Sequence, residues 1–132
     1  MTREKINDLR KKYGAMRNMS FALTTDKIKQ ETKTVTRRFG WWFLKPGDLI
    51  MPVEKAMGLK RGEHIVYLRD RPLQVTSTRR ELLGDIITAE CSLEGFPQMS
   101  ADDFLEMLAL HYHKKVAWLR DQQVNRIEFS YL

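Results

Sequence analysis

The residue types that could do chemistry are densest between positions 33 and 48 of this 132-residue sequence. The run Lys33–Arg38 reads KTVTRR and ends in two adjacent arginines. A guanidinium presents a planar fork of N–H donors that matches the oxygens of a phosphate, so Arg37 and Arg38 could clamp one. The alternative is that both arginines are ordinary exposed surface charges.

Two adjacent tryptophans follow, Trp41 and Trp42. Indole rings in a loop offer a stacking surface for a nucleobase, a contact worth about 1–3 kcal/mol. Both can equally be structural, and alternation along the chain predicts that one points inward and one outward. We expect a basic ligand cleft between segments 33–38 and 41–48. Its predicted ligand-binding residues are Arg37, Arg38, Trp41, Trp42, Lys45 and Asp48.

Histidine and cysteine suggest no metal or cofactor. His111 and His113 lie near the end of a predicted helix, where a spacing of two places them on different faces, and no third ligand is evident. His64 stands alone. The single cysteine, Cys91, excludes an internal disulfide and a cysteine-built zinc site, and we expect it to be a small buried side chain. We therefore predict no metal and no cofactor.

The charge is strongly polarised along the chain. The net charge is +6, from 23 basic and 17 acidic residues. Positions 1–45 carry twelve basic and four acidic residues, whereas the remainder carries eleven and thirteen. Such an asymmetry indicates a phosphate-bearing partner such as RNA, although exposed lysines can also merely keep a domain soluble.

Composition limits the class of protein. The mean hydropathy is −0.47, and no apolar run approaches the roughly 18 residues that span a bilayer. The residues after Met1 lead into no hydrophobic segment of a secretory signal. Together with the single cysteine, this predicts a cytoplasmic protein that binds no membrane.

Periodicity predicts a basic helix over residues 3–17, followed by a mixed α+β domain. Ile6, Leu9, Tyr13 and Met16 form the narrow apolar stripe of that helix. The helix could pack on the domain through that stripe or lie loosely against it as a basic arm that contacts an RNA backbone, and it could equally form a homodimer interface with a second copy. We divide the chain into a basic N-terminal helix (1–18) and a barrel domain (19–132).

The remaining elements are short strands separated by turns, with small helices before the last strand. Ser100 is the expected N-cap of the clearest helix, and residues 85–94 are predicted to be another. Expected strands or extended segments are 19–23, 33–38, 49–54, 64–68, 73–82 and 124–132, with a helical turn over 26–30. The predicted fold class is α+β, a small mixed β-barrel of about five to six strands with short helices.

The motifs resemble the ASCH family, small barrels related in shape to the PUA fold. The family's marker is a Gly-x-Lys-Thr-x-Thr-x-Arg run, a Gly-Asp turn and a terminal Ile-Glu-Phe strand. The matching residues are Lys33, Thr34, Thr36, Arg38, Gly47-Asp48 and Ile127-Glu128-Phe129. Glu31 stands where the family usually has glycine. The resemblance covers residues 19–132 and implies a cleft that handles RNA, nucleotides or modified nucleobases.

One branch of the family resembles amidohydrolases that remove an acyl group from the exocyclic amine of acetylated cytidine, using a Lys, a Thr and a Glu. The matching residues are Lys33, Thr36 and Glu94. The combination is chemically coherent, because a threonine hydroxyl needs an adjacent base and a lysine is a base only if its pKa is lowered. Glu94 could assist proton transfer, or it could instead hold Lys33 in a salt bridge.

This hypothesis has a structural consequence. On an ideal strand Lys33 and Thr36 face opposite ways, so the segment must bend for both to share a site. The alternative interpretation is a solvated lysine, a strand threonine and a helix-end glutamate with no joint role.

We therefore expect an ASCH-like barrel that binds RNA or a nucleobase-containing ligand in a basic cleft. The alternative is hydrolysis of an acylated cytidine through Thr36 as nucleophile, Lys33 as base and Glu94 in proton transfer. A third hypothesis is a partner-binding module that acts through the N-terminal helix.

Overall fold

The computed structural model describes residues 1–132 and is built around one five-stranded mixed sheet. In chain order the elements are α1 (Arg3–Tyr13), β1 (Arg17–Ser20), α2 (Thr25–Lys29), β2 (Val35–Arg38), β3 (Leu49–Val53), β4 (Leu73–Leu82), a 3-10 turn (Leu83–Asp85), α3 (Thr88–Leu93), α4 (Ala101–Tyr112), α5 (Val116–Arg120) and β5 (Gln123–Tyr131). The α+β class is confirmed. None of the helices combines the length and the apolar character that a membrane crossing requires.

The sheet is open, so the expected closed barrel is wrong in this respect. The strand order is β1-β3-β4-β5-β2, with β1 parallel to β3 and the other neighbours antiparallel. The two edge strands, β1 and β2, have four residues each and do not pair with one another. A side chain spans the gap instead, because Arg38 Nη2 donates to the backbone oxygen of Ser20 at 2.6 Å.

Two apolar clusters occupy the interior. One lies on the concave face expected of a barrel and includes Met19, Phe21, Ile50, Ile127 and Phe129. The second apolar cluster is explained by the alternation of side chains along β5. Val124 faces the opposite way from Ile127 and packs beneath the three helices that precede β5. The members of this cluster are Leu83, Ile86, Cys91, Phe104, Leu105, Ala109, Leu119 and Val124.

The N-terminal helix packs on the domain through its apolar stripe. Ile6 and Leu9 are buried against Met51 of β3, with Tyr13 and Met16 beside them. The helix ends at Tyr13, earlier than predicted, because Gly14 follows with a φ of +79°. The predicted domain boundary at residue 18 falls inside β1.

Several element predictions need correction. Residues 64–68 form no strand and contribute only one bridge, Val53 to Tyr67, because Pro52 and the turns around them interrupt a regular ladder. The expected strand at 19–23 begins and ends earlier, as β1. Helix α5 was missed, since five residues are too short to show helical periodicity. The Ser100 cap is confirmed: it forms a capping box with Asp103.

The loop that leads to Lys33 passes through a left-handed residue. Glu31 has a φ of +60°, a conformation that glycine adopts without the steric penalty of a Cβ. This accounts for the glycine that the ASCH-type motif usually has at this position. Here the Glu31 carboxylate contacts Arg69 Nη2 at 3.0 Å.

Substitution at Glu31 separates backbone strain from the ion pair. Glu31→Gly removes both, whereas Glu31→Gln removes only the charge. Because strain is relieved only in the first, we expect Glu31→Gly to be more stable than Glu31→Gln by roughly 1 kcal/mol. Urea unfolding of the two variants measures the difference. A glycine variant that is no more stable than the glutamine variant contradicts this account of the loop.

Candidate functional site

A cavity of about 110 Å³ opens at the edge of the sheet where β1 and β2 fail to pair. One part of its wall is polar and carries Lys33, Thr36, Arg37, Arg38, Glu94 and His111. The other part is apolar and includes Phe21, Phe96, Phe104, Met107, Leu108 and Tyr112. The volume is well below the roughly 300–1,000 Å³ of pockets for drug-sized ligands, so the cavity admits a small group.

The backbone on both sides fixes the entry of Lys33 into this cavity. The Thr34 N–H donates to the Leu93 oxygen at the end of α3, and the Thr34 oxygen accepts from Phe129 of β5, each at 3.0 Å. The Tyr131 hydroxyl donates to the Lys33 oxygen at 2.6 Å. The segment before β2 is therefore held between a helix end and a strand.

Lys33 and Glu94 form a buried ion pair. Lys33 Nζ lies 3.0 Å from Glu94 Oε1 and also donates to the Glu94 backbone oxygen. The two residues are only 2% and 3% exposed. Sequence alone left open whether Glu94 reaches Lys33, and the structure shows that it does.

Burial lowers the pKa of Lys33 below its ordinary value of 10.5. The Glu94 carboxylate opposes this shift, but the removal of water is the larger effect, and the charges of Arg38 and Arg37 act in the same direction as burial. A lysine with a lowered pKa holds more neutral amine near pH 7, which is the form that can accept a proton.

Arg37 organises the carboxylates behind the cavity. Its Nη1 contacts Glu94 Oε2 at 2.9 Å, Nη2 contacts Glu90 Oε1 at 2.6 Å, and Nε contacts Glu81 Oε1 at 2.6 Å. Burial alone would lower the pKa of Arg37, but the carboxylates, Glu94 first among them, raise it overall. The role of Arg37 in phosphate binding stays a prediction, and all three of its nitrogens already bind carboxylates.

Glu90 links this group to a second arginine. Arg126 Nε donates to Glu90 Oε1 at 2.6 Å and Nη2 donates to Oε2 at 3.2 Å. These bonds, with those from Arg37, lower the pKa of Glu90 to about 2 against the opposing effect of burial. Arg37 and Arg126 are directly opposed across β2 and β5, so Glu90 neutralises a like-charge pair that would otherwise repel.

Thr36 lies in the same cavity but is not bonded to Lys33. Its hydroxyl oxygen accepts from Arg38 Nε at 2.9 Å, and Lys33 donates only to Glu94. The Arg38 side chain is half-buried, its guanidinium lies 4.8 Å from the centroid of the Phe21 ring, and burial lowers its pKa. A cation beside a hydroxyl favours its deprotonated form.

The predicted bend between Lys33 and Thr36 is confirmed. Lys33 and Thr34 precede β2, which begins at Val35, so the two-residue alternation does not extend back to the lysine. Thr36 faces the concave side of the sheet, and the preceding irregular segment turns Lys33 into the same cavity.

The structure separates the other predicted ligand residues from this cavity. Trp41 packs half-buried against the concave core, and Trp42 is exposed with Arg80 over its ring at 4.0 Å, as alternation predicted. Lys45 and Asp48 pair with each other at 3.2 Å in a separate groove beside the end of α1. The hydrogen bond from the Lys45 backbone N–H is the main cause of a lowered pKa at Asp48, and the Lys45 side chain acts in the same direction. Ligand binding by these four residues stays a prediction.

Sequence analysis missed the contribution of α4. Its residues Phe104, Met107, Leu108 and His111 recur at spacings of three and four and face the cavity together. A histidine in an otherwise apolar helical stripe was the available signal. Glu81, Glu90 and Arg126 gave no signal, because Glu81 and Glu90 reach Arg37, and Arg126 reaches Glu90, from distant parts of the chain.

A solved structure supports the fold. The chain is similar to the crystal structure of an ASCH domain from Lactobacillus crispatus JV V101, with a TM-score of 0.61 and 15% sequence identity. The similarity covers 99% of this chain and 86% of the other. The chain has the fold of an ASCH domain. No protein-family model matches the chain, and no curated protein matches it either.

The ion pairs of Glu90 with Arg37 and Arg126 predict that the stability of the fold is sensitive to acid. Its folded-state pKa of about 2 is lower than that of an unfolded glutamate, so its contribution to stability is complete above about pH 5 and is lost as the pH falls toward 2. Glu90→Gln should therefore reduce the free energy of unfolding at pH 7 by about 1–2 kcal/mol, after allowance for solvent screening. Urea unfolding at pH 7 and pH 3 should show the gap between wild type and variant narrowing at pH 3, and a constant gap contradicts the assignment.

Proposed function

We propose that the cavity binds one nucleobase, presented by RNA or by a modified nucleoside. The observation that supports this is the division of its wall into an apolar, aromatic part and a polar part rich in donors. A nucleobase has apolar faces and a polar edge, so its face suits Phe21, Phe104 and Tyr112. Its carbonyl and ring-nitrogen acceptors suit the Lys33 and Arg38 donors.

The exposed charge agrees with a phosphate-bearing ligand. The solvent face of α1 carries Arg3, Lys5, Arg10, Lys11 and Lys12, all exposed. Such a surface attracts polyanions over distances comparable with the Debye length. The apolar stripe of α1 is already used against β3, so a homodimer through that stripe is not part of the proposal. A cytoplasmic location stays a prediction.

Calorimetric titration tests the binding function. We expect the protein to bind cytidine or N4-acetylcytidine, and Thr36→Val to retain binding because the arginine and lysine donors remain. Tyr112→Leu should weaken binding by about 5-fold or more through the loss of an aromatic contact, a stacking energy of roughly 1 kcal/mol or more. Absence of binding by cytidine, N4-acetylcytidine, uridine and adenosine at millimolar concentration contradicts the proposal.

A second candidate function, deacylation of N4-acetylcytidine, is favoured by one specific observation. The three residues that the ASCH resemblance assigns to this chemistry border one small cavity, and the pKa of the lysine among them is lowered. A buried lysine with a perturbed pKa in the wall of a cavity is a candidate functional residue.

The proposed reaction would use these residues in two steps. Thr36 Oγ1 attacks the acyl carbon while Lys33 Nζ, in its neutral form, accepts the hydroxyl proton. The C–N bond breaks, and the proton passes from Lys33 or Glu94 to the departing amine of cytidine. Water then attacks the threonine ester, loses its proton to the same pair, and releases acetate. Lys33 and Thr36 share no hydrogen bond in the structure, so this step requires the two side chains to come closer when the ligand binds.

Turnover of N4-acetylcytidine decides between binding alone and hydrolysis. If the candidate is correct, Lys33→Ala lowers kcat by about 100- to 10,000-fold, the usual contribution of general base catalysis, and Thr36→Ala, which removes the nucleophile, lowers it at least as much. Lys29→Ala, an exposed lysine on α2, is the matched control and should leave kcat unchanged. If the wild-type protein binds N4-acetylcytidine but releases no cytidine, the binding function stands and the hydrolysis candidate is contradicted.

A further inference from the structure

An aromatic surface continues outward from the cavity. We call it the aromatic ridge and define it as His111, Tyr112, Phe39 and Trp118. The His111 and Tyr112 rings are 4.8 Å apart, Tyr112 and Phe39 are 5.2 Å apart, and Phe39 and Trp118 are 6.4 Å apart, centroid to centroid. The ridge therefore joins three parts of the chain: the end of α4, the residue after β2, and α5.

Packing within the protein does not account for the whole ridge. Phe39 rests on the core beneath the helices, but Tyr112 is 39% exposed and Trp118 is 43% exposed. Leaving two large aromatic rings in water is unfavourable by the hydrophobic effect, and a patch of this kind on a monomer is typical of a binding surface.

The ridge begins at the cavity. His111 and Tyr112 belong to the cavity wall, whereas Phe39 and Trp118 lie beyond it. A ligand whose base lies against Phe104 and Tyr112 in the cavity would therefore have a flanking nucleotide over Trp118.

Positive charge accompanies the outer end of the ridge. Lys114 Nζ lies 4.9 Å from the centroid of the Trp118 ring, and Lys115 follows as a second exposed lysine. Aromatic rings beside lysines are the combination that binds single-stranded nucleic acid, since the bases stack and the cations contact phosphates.

We propose that the aromatic ridge stacks the nucleotides that flank the base in the cavity, so that the ligand is single-stranded RNA rather than a free nucleoside. The inference rests on the proposed function, because it needs a nucleobase in the cavity. It adds a second subsite, with Trp118 as the stacking residue and Lys114 as the phosphate contact.

Titration with cytidine and with the RNA trinucleotide CpCpC tests the inference. We expect wild type to bind the trinucleotide at least about tenfold more tightly, with quenching of tryptophan fluorescence that is lost in Trp118→Leu, as expected for one stacked base. Trp118→Leu should weaken trinucleotide binding by about 5- to 100-fold and leave cytidine binding unchanged. Phe43→Leu removes an exposed aromatic residue of the separate groove and is the matched control.

Lys114→Met is the second variant, because its exposed side chain can be changed without disturbing the contact between Trp118 and Phe39. It should lower the dependence of log affinity on log salt by roughly 0.7 for the trinucleotide. Two results would overturn the proposed role of the ridge while leaving nucleobase binding in the cavity intact. One is cytidine binding with no gain in affinity for the trinucleotide, and the other is an equal loss of affinity for both ligands in Trp118→Leu. Failure of both ligands to bind overturns the ridge together with the proposed function.

Discussion

The arrangement of the site depends on the sharing of Glu94 between two buried cations. Lys33 contacts one carboxylate oxygen and Arg37 contacts the other. Neither cation could be buried without a partner, because a desolvated charge costs several kcal/mol when it is unpaired. The C-terminal end of α3 is thereby tied to both the start and the middle of β2. These ties hold the segment before the strand in the bent path that directs Lys33 into the cavity.

The same constraint explains how Arg37 and its neighbours divide their tasks. Arg37 and Arg38 follow each other on β2 and therefore face opposite sides of the edge strand. Arg37 turns toward α3 and the carboxylates of Glu81, Glu90 and Glu94, whereas Arg38 turns to the concave side and spans the gap to β1. A closed barrel would fill that gap with backbone hydrogen bonds. With an arginine in it, the gap becomes the entrance of a cavity that has a cation in its wall.

Much of the fold and the centre of the site could be predicted from sequence. Strand β5 alternates visibly, α4 carries its own cap, and the resemblance to ASCH domains pointed to Lys33, Thr36 and Glu94, which the structure brings to one cavity. Other features depend on contacts across long stretches of chain. The carboxylates that bind Arg37 are 44 to 57 residues away in sequence, and no local pattern indicates which acidic residues they are. The same limit applies to whether the sheet closes into a barrel, because only strand register and strand length decide whether β1 and β2 meet.

The most direct test is the pKa of Lys33, measured by NMR titration of the side-chain carbon next to the amine, with the exposed lysines as internal references. The account predicts a pKa below 10.5 and below those of the exposed lysines, because burial outweighs the attraction of Glu94. It also predicts a further decrease in Glu94→Gln, where the stabilising charge is removed. A Lys33 that titrates at or above the exposed lysines in the wild-type protein would show that the ion pair dominates, and would contradict its proposed role as a base.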